Sequence, residues 1–262
     1  MSKSIHYELC GSADSPVLVL SHALGTNLNL WDEQVKALRG SFRILRYDSR
    51  GHGRSLADPG PYTISLLAAD VLNLLDELGV TSAHFCGISL GGLVGQFLAI
   101  YHPERISSLV LSNTATRIGT REKWDRRIQE VMKGGMPAVL GEVLAGWFSA
   151  RFRSLHGSIA DSLVDALKTT SPEGYIGCCE ALRDADLSQL IGRVNAPALI
   201  IAGTEDQATT LVASQFLHQE IRGSQLVALN CAHLACVEAS AEFTDHLTRF
   251  LTTKALFDHE RI

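Results

Sequence analysis

Gly87-Ile88-Ser89-Leu90-Gly91 reads G-x-S-x-G, and its flanks decide the fold. The preceding Ser82-Ala83-His84-Phe85-Cys86 is a short apolar run of buried-strand type. The following Gly92-Leu93-Val94-Gly95-Gln96-Phe97-Leu98-Ala99-Ile100 has the composition of a buried helix. A serine on a strand-to-helix turn stands at the carboxyl end of its strand. Its hydroxyl is exposed there, and the next backbone N–H points at whatever it attacks. So tight a turn admits only small residues, which Gly87, Gly91 and Gly92 supply. The five-residue pattern also arises by chance, and it is the strand before and helix after that make Ser89 a candidate nucleophile.

Outward from this turn, apolar runs alternate with helical patterns. Val17-Leu18-Val19-Leu20 and Arg43-Ile44-Leu45-Arg46-Tyr47 predict strands. Between 63 and 79, Ile64, Leu67, Ala68, Val71, Leu75 and Leu78 recur at helical spacing, and Gly79 ends the pattern. Further strands are expected at Ser108-Leu109-Val110-Leu111-Ser112, Ala198-Leu199-Ile200-Ile201-Ala202-Gly203 and Gln225-Leu226-Val227-Ala228-Leu229, with helices near 210–220 and 239–251. This order predicts an α/β fold, a mostly parallel sheet covered by helices on both faces, whose sites form at the carboxyl ends of the strands. From 117 to 193 the alternation fails. Four helices are expected at 121–132, 137–148, 159–169 and 176–187, set apart by Gly134-Gly135, Gly157 and Pro172. The chain therefore divides into a core, 1–116 and 194–262, and a helical insertion, 117–193.

The bulk properties exclude several classes. A chain of 262 residues, 46% hydrophobic, can bury one large core. The net charge of −5 argues against nucleic acid, which needs a clustered basic face. No apolar run approaches the ~20 residues of a membrane helix, and the first residues have no signal-peptide character, so a soluble cytoplasmic protein is expected. The six cysteines include no C-x-x-C pair and read as buried reduced thiols. The ten histidines show neither H-x-x-x-H nor H-E-x-x-H spacing, which argues against a metal site.

A serine hydroxyl needs a base within hydrogen-bond reach and a third group to orient that base. On this kind of sheet the partners follow in the order Ser…Asp/Glu…His. Gly203-Thr204-Glu205-Asp206 and Cys231-Ala232-His233 each follow a later strand. Asp206 is the leading candidate acid and Glu205 its competitor; His233 is the candidate base. Ser21-His22-Ala23-Leu24-Gly25-Thr26 follows the first strongly apolar strand. There the Leu24 N–H, with that of Leu90, would receive a negative oxygen; the competing reading is an ordinary strand-to-helix turn. His84 reads as structural, His22 as a stabiliser of its turn, and Asp48-Ser49-Arg50-Gly51-His52-Gly53-Arg54-Ser55 as a loop tied down by its own charges.

Together these segments resemble the α/β-hydrolase family across almost the whole chain. The resemblance implies that the helical insertion is a cap that shapes the substrate pocket. It extends to the 3-oxoadipate enol-lactonase group through Leu20-Ser21-His22-Ala23-Leu24-Gly25-Thr26 with Trp31, and through Ser112-Asn113-Thr114-Ala115-Thr116-Arg117-Ile118-Gly119. Gly134-Gly135-Met136, Trp147-Phe148, the stretch from Tyr175 to Leu187, and Ala202-Gly203-Thr204-Glu205-Asp206 also look like that group. Leu90, Gln207 and Cys231-Ala232 depart from it, standing where Met, Pro and a Gly are usual. The resemblance implies a serine hydrolase that opens a small-molecule lactone through Ser89, His233 and Asp206 and an acyl-enzyme, with no metal or organic cofactor. It also implies a contact for the substrate's free carboxylate. Arg117, Arg126, Arg127 and Arg183 are the candidates, with Arg127 and Arg183 preferred; Trp147 is the preferred wall residue, ahead of Trp124. Another ester, a carbon–carbon bond, or pure binding on the same scaffold are the competing readings, and a homo-oligomer is left open.

Overall fold

The computed structural model describes residues 5–155 and 157–258. Seven strands form one sheet in the order β1-β3-β2-β4-β5-β6-β7. They are β1 (Tyr7–Cys10), β2 (Val17–Ser21), β3 (Arg43–Tyr47), β4 (Ala83–Ile88), β5 (Ile106–Ser112), β6 (Ala198–Gly203) and β7 (Gln225–Leu229). Only β1 runs antiparallel, against β3; every other pairing is parallel. Every residue of β4 and β6 is buried, which is why these segments read as continuous apolar runs.

Helices α1 (Asp32–Leu38), α2 (Ile64–Glu77) and α3 (Leu90–Tyr101) lie between the early strands. Thr63 caps α2 by accepting the Leu66 N–H at 3.1 Å. Between β5 and β6 come α4 (Arg121–Gly134), α5 (Leu140–Trp147), α6 (Ala150–Leu155), α7 (Gly157–Thr169) and α8 (Pro172–Asp184), with no strand among the described residues of that stretch. Then follow α9 (Leu211–Glu220), α10 (Ala235–Glu238) and α11 (Ser240–Asp258). Among these, α2 packs against α3, α1 against α11, and α4 against α8.

The expected strands and helices are present, with differences that have physical reasons. The edge strand β1 and the short α1 carry too few periodic apolar residues to announce themselves. Pro137 falls in a 3₁₀ turn, so the helix expected from 137 starts only at Leu140. Pro172 begins a helix instead of separating two. It occupies the first helical position, where no N–H is needed, and Ser171 caps the turn by accepting the Gly174 N–H at 3.3 Å.

Parallel register sets the site. Ser21 pairs with Gly87, Ile88 with Ser112, Ser112 with Ile201, and Gly203 with Leu229. The carboxyl ends of β2, β4, β5, β6 and β7 therefore share one edge, and Ser89, Asn113, Asp206 and His233 all follow strands that end there.

Candidate active site

Ser89 sits between β4 and α3 with φ +57° and ψ −114°, a strained conformation for a residue with a side chain. The surroundings over-determine it. A Cβ on Gly91 would lie 2.3 Å from the Ser21 carbonyl oxygen, and one on Gly87 would lie 2.2 Å from that of Gly91. The Ser89 N–H donates to the Ser112 carbonyl at 3.1 Å, and the Thr114 hydroxyl donates to the Ser89 carbonyl at 2.8 Å. Leu90 opens α3, so its N–H has no acceptor within the helix.

Asp206 and His233 meet: Nδ1 of His233 lies 2.8 Å from Oδ2 of Asp206. A carboxylate only accepts, so Nδ1 carries the proton and Nε2 is left as an acceptor. The Ala208 and Thr209 N–H groups donate to Oδ1 at 2.8 and 3.0 Å, and the Thr209 hydroxyl donates to Oδ2 at 2.6 Å. Burial pushes the Asp206 carboxyl up. The His233 imidazole and the Thr209 donors outweigh it and hold the group well below the usual carboxylate range. Glu205, the competing acid, is exposed and is not bonded to His233.

Asn113 is fully buried, with φ +43°. Its Nδ2 donates to Asp206 Oδ2 and to the Ala232 carbonyl, both at 3.0 Å, and its Oδ1 accepts from the Ser112 hydroxyl at 2.8 Å. One side chain thus ties the acid loop to the loop carrying His233. The segment 112–119 was legible as a resemblance, but only the positive φ and the double donation reveal what Asn113 holds.

The loop after β2 is fixed by two imidazoles. His22 Nε2 accepts the Ser49 N–H at 2.8 Å while its Nδ1 faces the Ala23 carbonyl at 2.8 Å. His52 Nε2 accepts the Gly25 N–H at 3.0 Å, with Nδ1 on the Arg50 carbonyl at 3.2 Å. Burial lowers both; for His52, burial and then the neighbouring His22 take it to about 3, so both serve as neutral acceptors. Asp48 completes the brace by accepting the N–H groups of Leu28 and Arg54 at 2.8 and 2.9 Å. This confines His22 and the 48–55 loop to holding the backbone.

A cavity of about 110 Å³ is bounded by Ser89, His233, Leu24, Trp147 and Arg127. Trp124, Tyr175, Lys123 and Glu142 also reach it. A larger groove, about 760 Å³, lies among residues of α1, α7, α10 and α11 and contains neither Ser89 nor His233, so its size does not make it the site. Arg127 is buried. It donates to the Tyr175 hydroxyl at 3.1 Å and pairs with Glu142 at 2.6 Å, while its Nε lies 4.0 Å from Glu130 and makes no hydrogen bond among the described residues.

Arg183 does not border this cavity. Its guanidinium is held by Asp125 at 3.2 Å and Asp184 at 2.8 Å. Arg117 and Arg126 also stay outside, paired with Asp186 and with Glu130 and Glu142. Lys123 was missed, although it precedes Arg127 by four residues on α4 and so shares its face. Five of the six cysteines are buried, as expected, and burial pushes the Cys231 thiol up to about 12. No described helix is long and apolar enough to cross a membrane.

A serine on a strained turn, an aspartate–histidine pair and a parallel sheet define the class. Residues 16–146 match the model of the alpha/beta hydrolase fold, and the chain belongs to that family as an enzyme of the ester-hydrolase type. It is 40% identical to 3-oxoadipate enol-lactonase 2 of Acinetobacter baylyi over 240 residues, 92% of this chain and 90% of that protein. The crystal structure of the enol-lactonase from Burkholderia xenovorans LB400 superposes with a TM-score of 0.94 at 42% identity, covering 95% of this chain and 96% of that one. A putative carbamate hydrolase RutD of Stutzerimonas stutzeri is 33% identical over 93% of this chain and 96% of that protein.

Proposed function

We propose that this enzyme opens the ring of 3-oxoadipate enol-lactone to give 3-oxoadipate, with Ser89 as nucleophile, His233 as base and Asp206 as the orienting acid. The observation that carries the lactone reading is the cavity itself. Ser89 and His233 share it with a buried arginine whose Nε makes no hydrogen bond, a fit for a small substrate with a free carboxylate. The kinship to enol-lactonases at 40 and 42% identity supports the same choice over the carbamate hydrolases at 33%.

In this mechanism His233 Nε2 takes the Ser89 proton as Oγ attacks the lactone carbonyl. The Leu24 and Leu90 N–H groups receive the oxyanion, each such donor contributing ~3 kcal/mol to the barrier reduction. Collapse breaks the ring C–O bond as His233 returns the proton from Nε2 to the leaving oxygen, giving an acyl-enzyme and an enol still tethered to it. A tethered nucleophile recloses at high effective concentration. Tautomerisation to the ketone removes it, and water then attacks the acyl-enzyme with His233 again as base. Arg127 binds the carboxylate, Trp147 walls the pocket, and residues 117–193 act as a cap over it.

The test is turnover of the enol-lactone beside neutral aryl esters and a carbamate, in wild type and Ser89→Ala. The reading predicts the highest kcat/KM on the lactone and its loss in the variant. Turnover surviving in Ser89→Ala would refute the nucleophile; preference for the carbamate would refute the substrate.

A further inference from the structure

Glu238 ends α10, five residues beyond His233, and its carboxylate is shared between two parts of the molecule. Oε2 accepts the N–H of Ala232 and the N–H of Ser149, each at 3.1 Å, and Oε1 accepts the Ser149 hydroxyl. Ser149 lies between α5 and α6 in the cap, and its hydroxyl also accepts the Phe152 N–H at 3.1 Å, capping α6. On the other side of His233, the Leu234 N–H donates to the Trp147 carbonyl at 3.0 Å. Both peptide N–H groups flanking the base are thus held by acceptors fixed to the cap. Trp147 supplies one directly; Glu238 supplies the other through Ser149. From the sheet side, Asn113 holds the intervening Ala232 carbonyl.

We propose that Glu238 is a positioning residue that fastens the His233 loop to cap residue Ser149, so that seating of the cap sets the reach of His233 toward Ser89. This rests on the reading of His233 as base, but not on the identity of the substrate. Its physical basis is that proton transfer tolerates little displacement: about 1 Å of misplacement of a reacting group can cost a hundredfold in rate. Releasing Glu238 leaves one of the two cap-side fastenings of the loop and frees two backbone N–H groups.

The substitutions separate geometry from charge. Glu238→Gln keeps the shape: its amide oxygen can take both N–H bonds, and its NH₂ can donate to the Ser149 hydroxyl. Glu238→Asp keeps the charge and shortens the reach. Glu238→Ala removes both. The readout is the rate constant for modification of Ser89 by an aryl phosphonofluoridate, followed by mass spectrometry, beside kcat and KM for a neutral aryl ester and thermal unfolding. Glu238→Ala and Glu238→Asp should slow phosphonylation and lower kcat about tenfold or more, with KM changed less. Glu238→Gln should restore both to within about twofold. An Ala variant as reactive as wild type, or a Gln variant as slow as the Ala variant at equal stability, would overturn the proposal. If Glu238→Ala fails to fold, the Gln and Asp pair decides it: Asp must be slow and Gln fast. Wild type that resists phosphonylation altogether would instead refute the base and nucleophile assignment.

Discussion

Replacing Asn113 tests the coupling of the acid and base loops, because one side chain carries three bonds and a backbone conformation. Its amide donates to the Asp206 carboxylate and to the Ala232 carbonyl at 3.0 Å each. A hydrogen bond to a charged group contributes about 2 kcal/mol and each neutral one about 1 kcal/mol, so removing these two and the bond from the Ser112 hydroxyl should cost ~4 kcal/mol in Asn113→Gly. Glycine relieves the positive φ of +43°, which alanine does not. Asn113→Ala should therefore lose a further ~1 kcal/mol. The order of stability, wild type above Gly above Ala, is opposite to that expected in ordinary extended or helical backbone. Urea unfolding followed by tryptophan fluorescence measures both differences, with kcat on a neutral ester as the functional readout. An alanine variant as stable as the glycine variant would refute the strain argument. A total loss below ~1 kcal/mol in either would refute the bond assignment.

Other expectations follow from the same geometry. Arg127→Gln should raise KM about ten- to a hundredfold for the carboxylate-bearing lactone, the range of a lost charged hydrogen bond, and leave a neutral aryl ester unaffected. An equal loss on both substrates would mean that Arg127 only supports the wall. Lys123→Gln should act in the same direction by a few-fold. Asp206 has a folded pKa below its unfolded one, so its contribution is complete above the ~3.9 of an unfolded aspartate and is lost as pH falls below that toward the folded value. The stability gap between wild type and Asp206→Asn should therefore be flat near neutrality and close in acid; a gap that widens in acid would reverse the sign. Gly174→Ala places a Cβ 2.3 Å from Gly51 Cα, and should cost about 1–3 kcal/mol by forcing α8 off the 48–55 loop. An unchanged melting temperature would show that this contact can spread freely.

The sheet was legible because parallel strands are buried on both faces. Ile200 and Ile201 at the centre of β6 have no exposed surface, and the run 198–203 reads as continuously apolar. The juxtaposition of Asp206 with His233 was legible from order alone, since each follows a strand that ends on one edge. Helix α6 was not, because Ala150-Arg151-Phe152-Arg153-Ser154-Leu155 is short and buries only Phe152 of its apolar residues. That Arg183 lies outside the cavity was not legible, because its place in the insertion does not reveal its pairing; Asp184 beside it, within Arg183-Asp184-Ala185-Asp186, was the available sign. Lys123 could have been found from its four-residue offset to Arg127. Glu238 could not, because its partner Ser149 lies 89 positions away.

The two buried imidazoles, His22 and His52, have a consequence for variation in the pocket. They hold the loop after β2 through the main-chain N–H groups of Ser49 and Gly25, the Ala23 and Arg50 carbonyls and the Thr26 hydroxyl, and none of these contacts involves the side chain of residue 24. Leu24 presents its side chain to the cavity while its peptide is kept in place by others. Under the proposed mechanism, a change of side chain at position 24 would retune which acyl group fits while leaving its N–H in place. Gly25 has no such freedom: a Cβ there would lie 2.6 Å from Leu167 of α7. In that mechanism selectivity and rate would fall to different atoms of one residue.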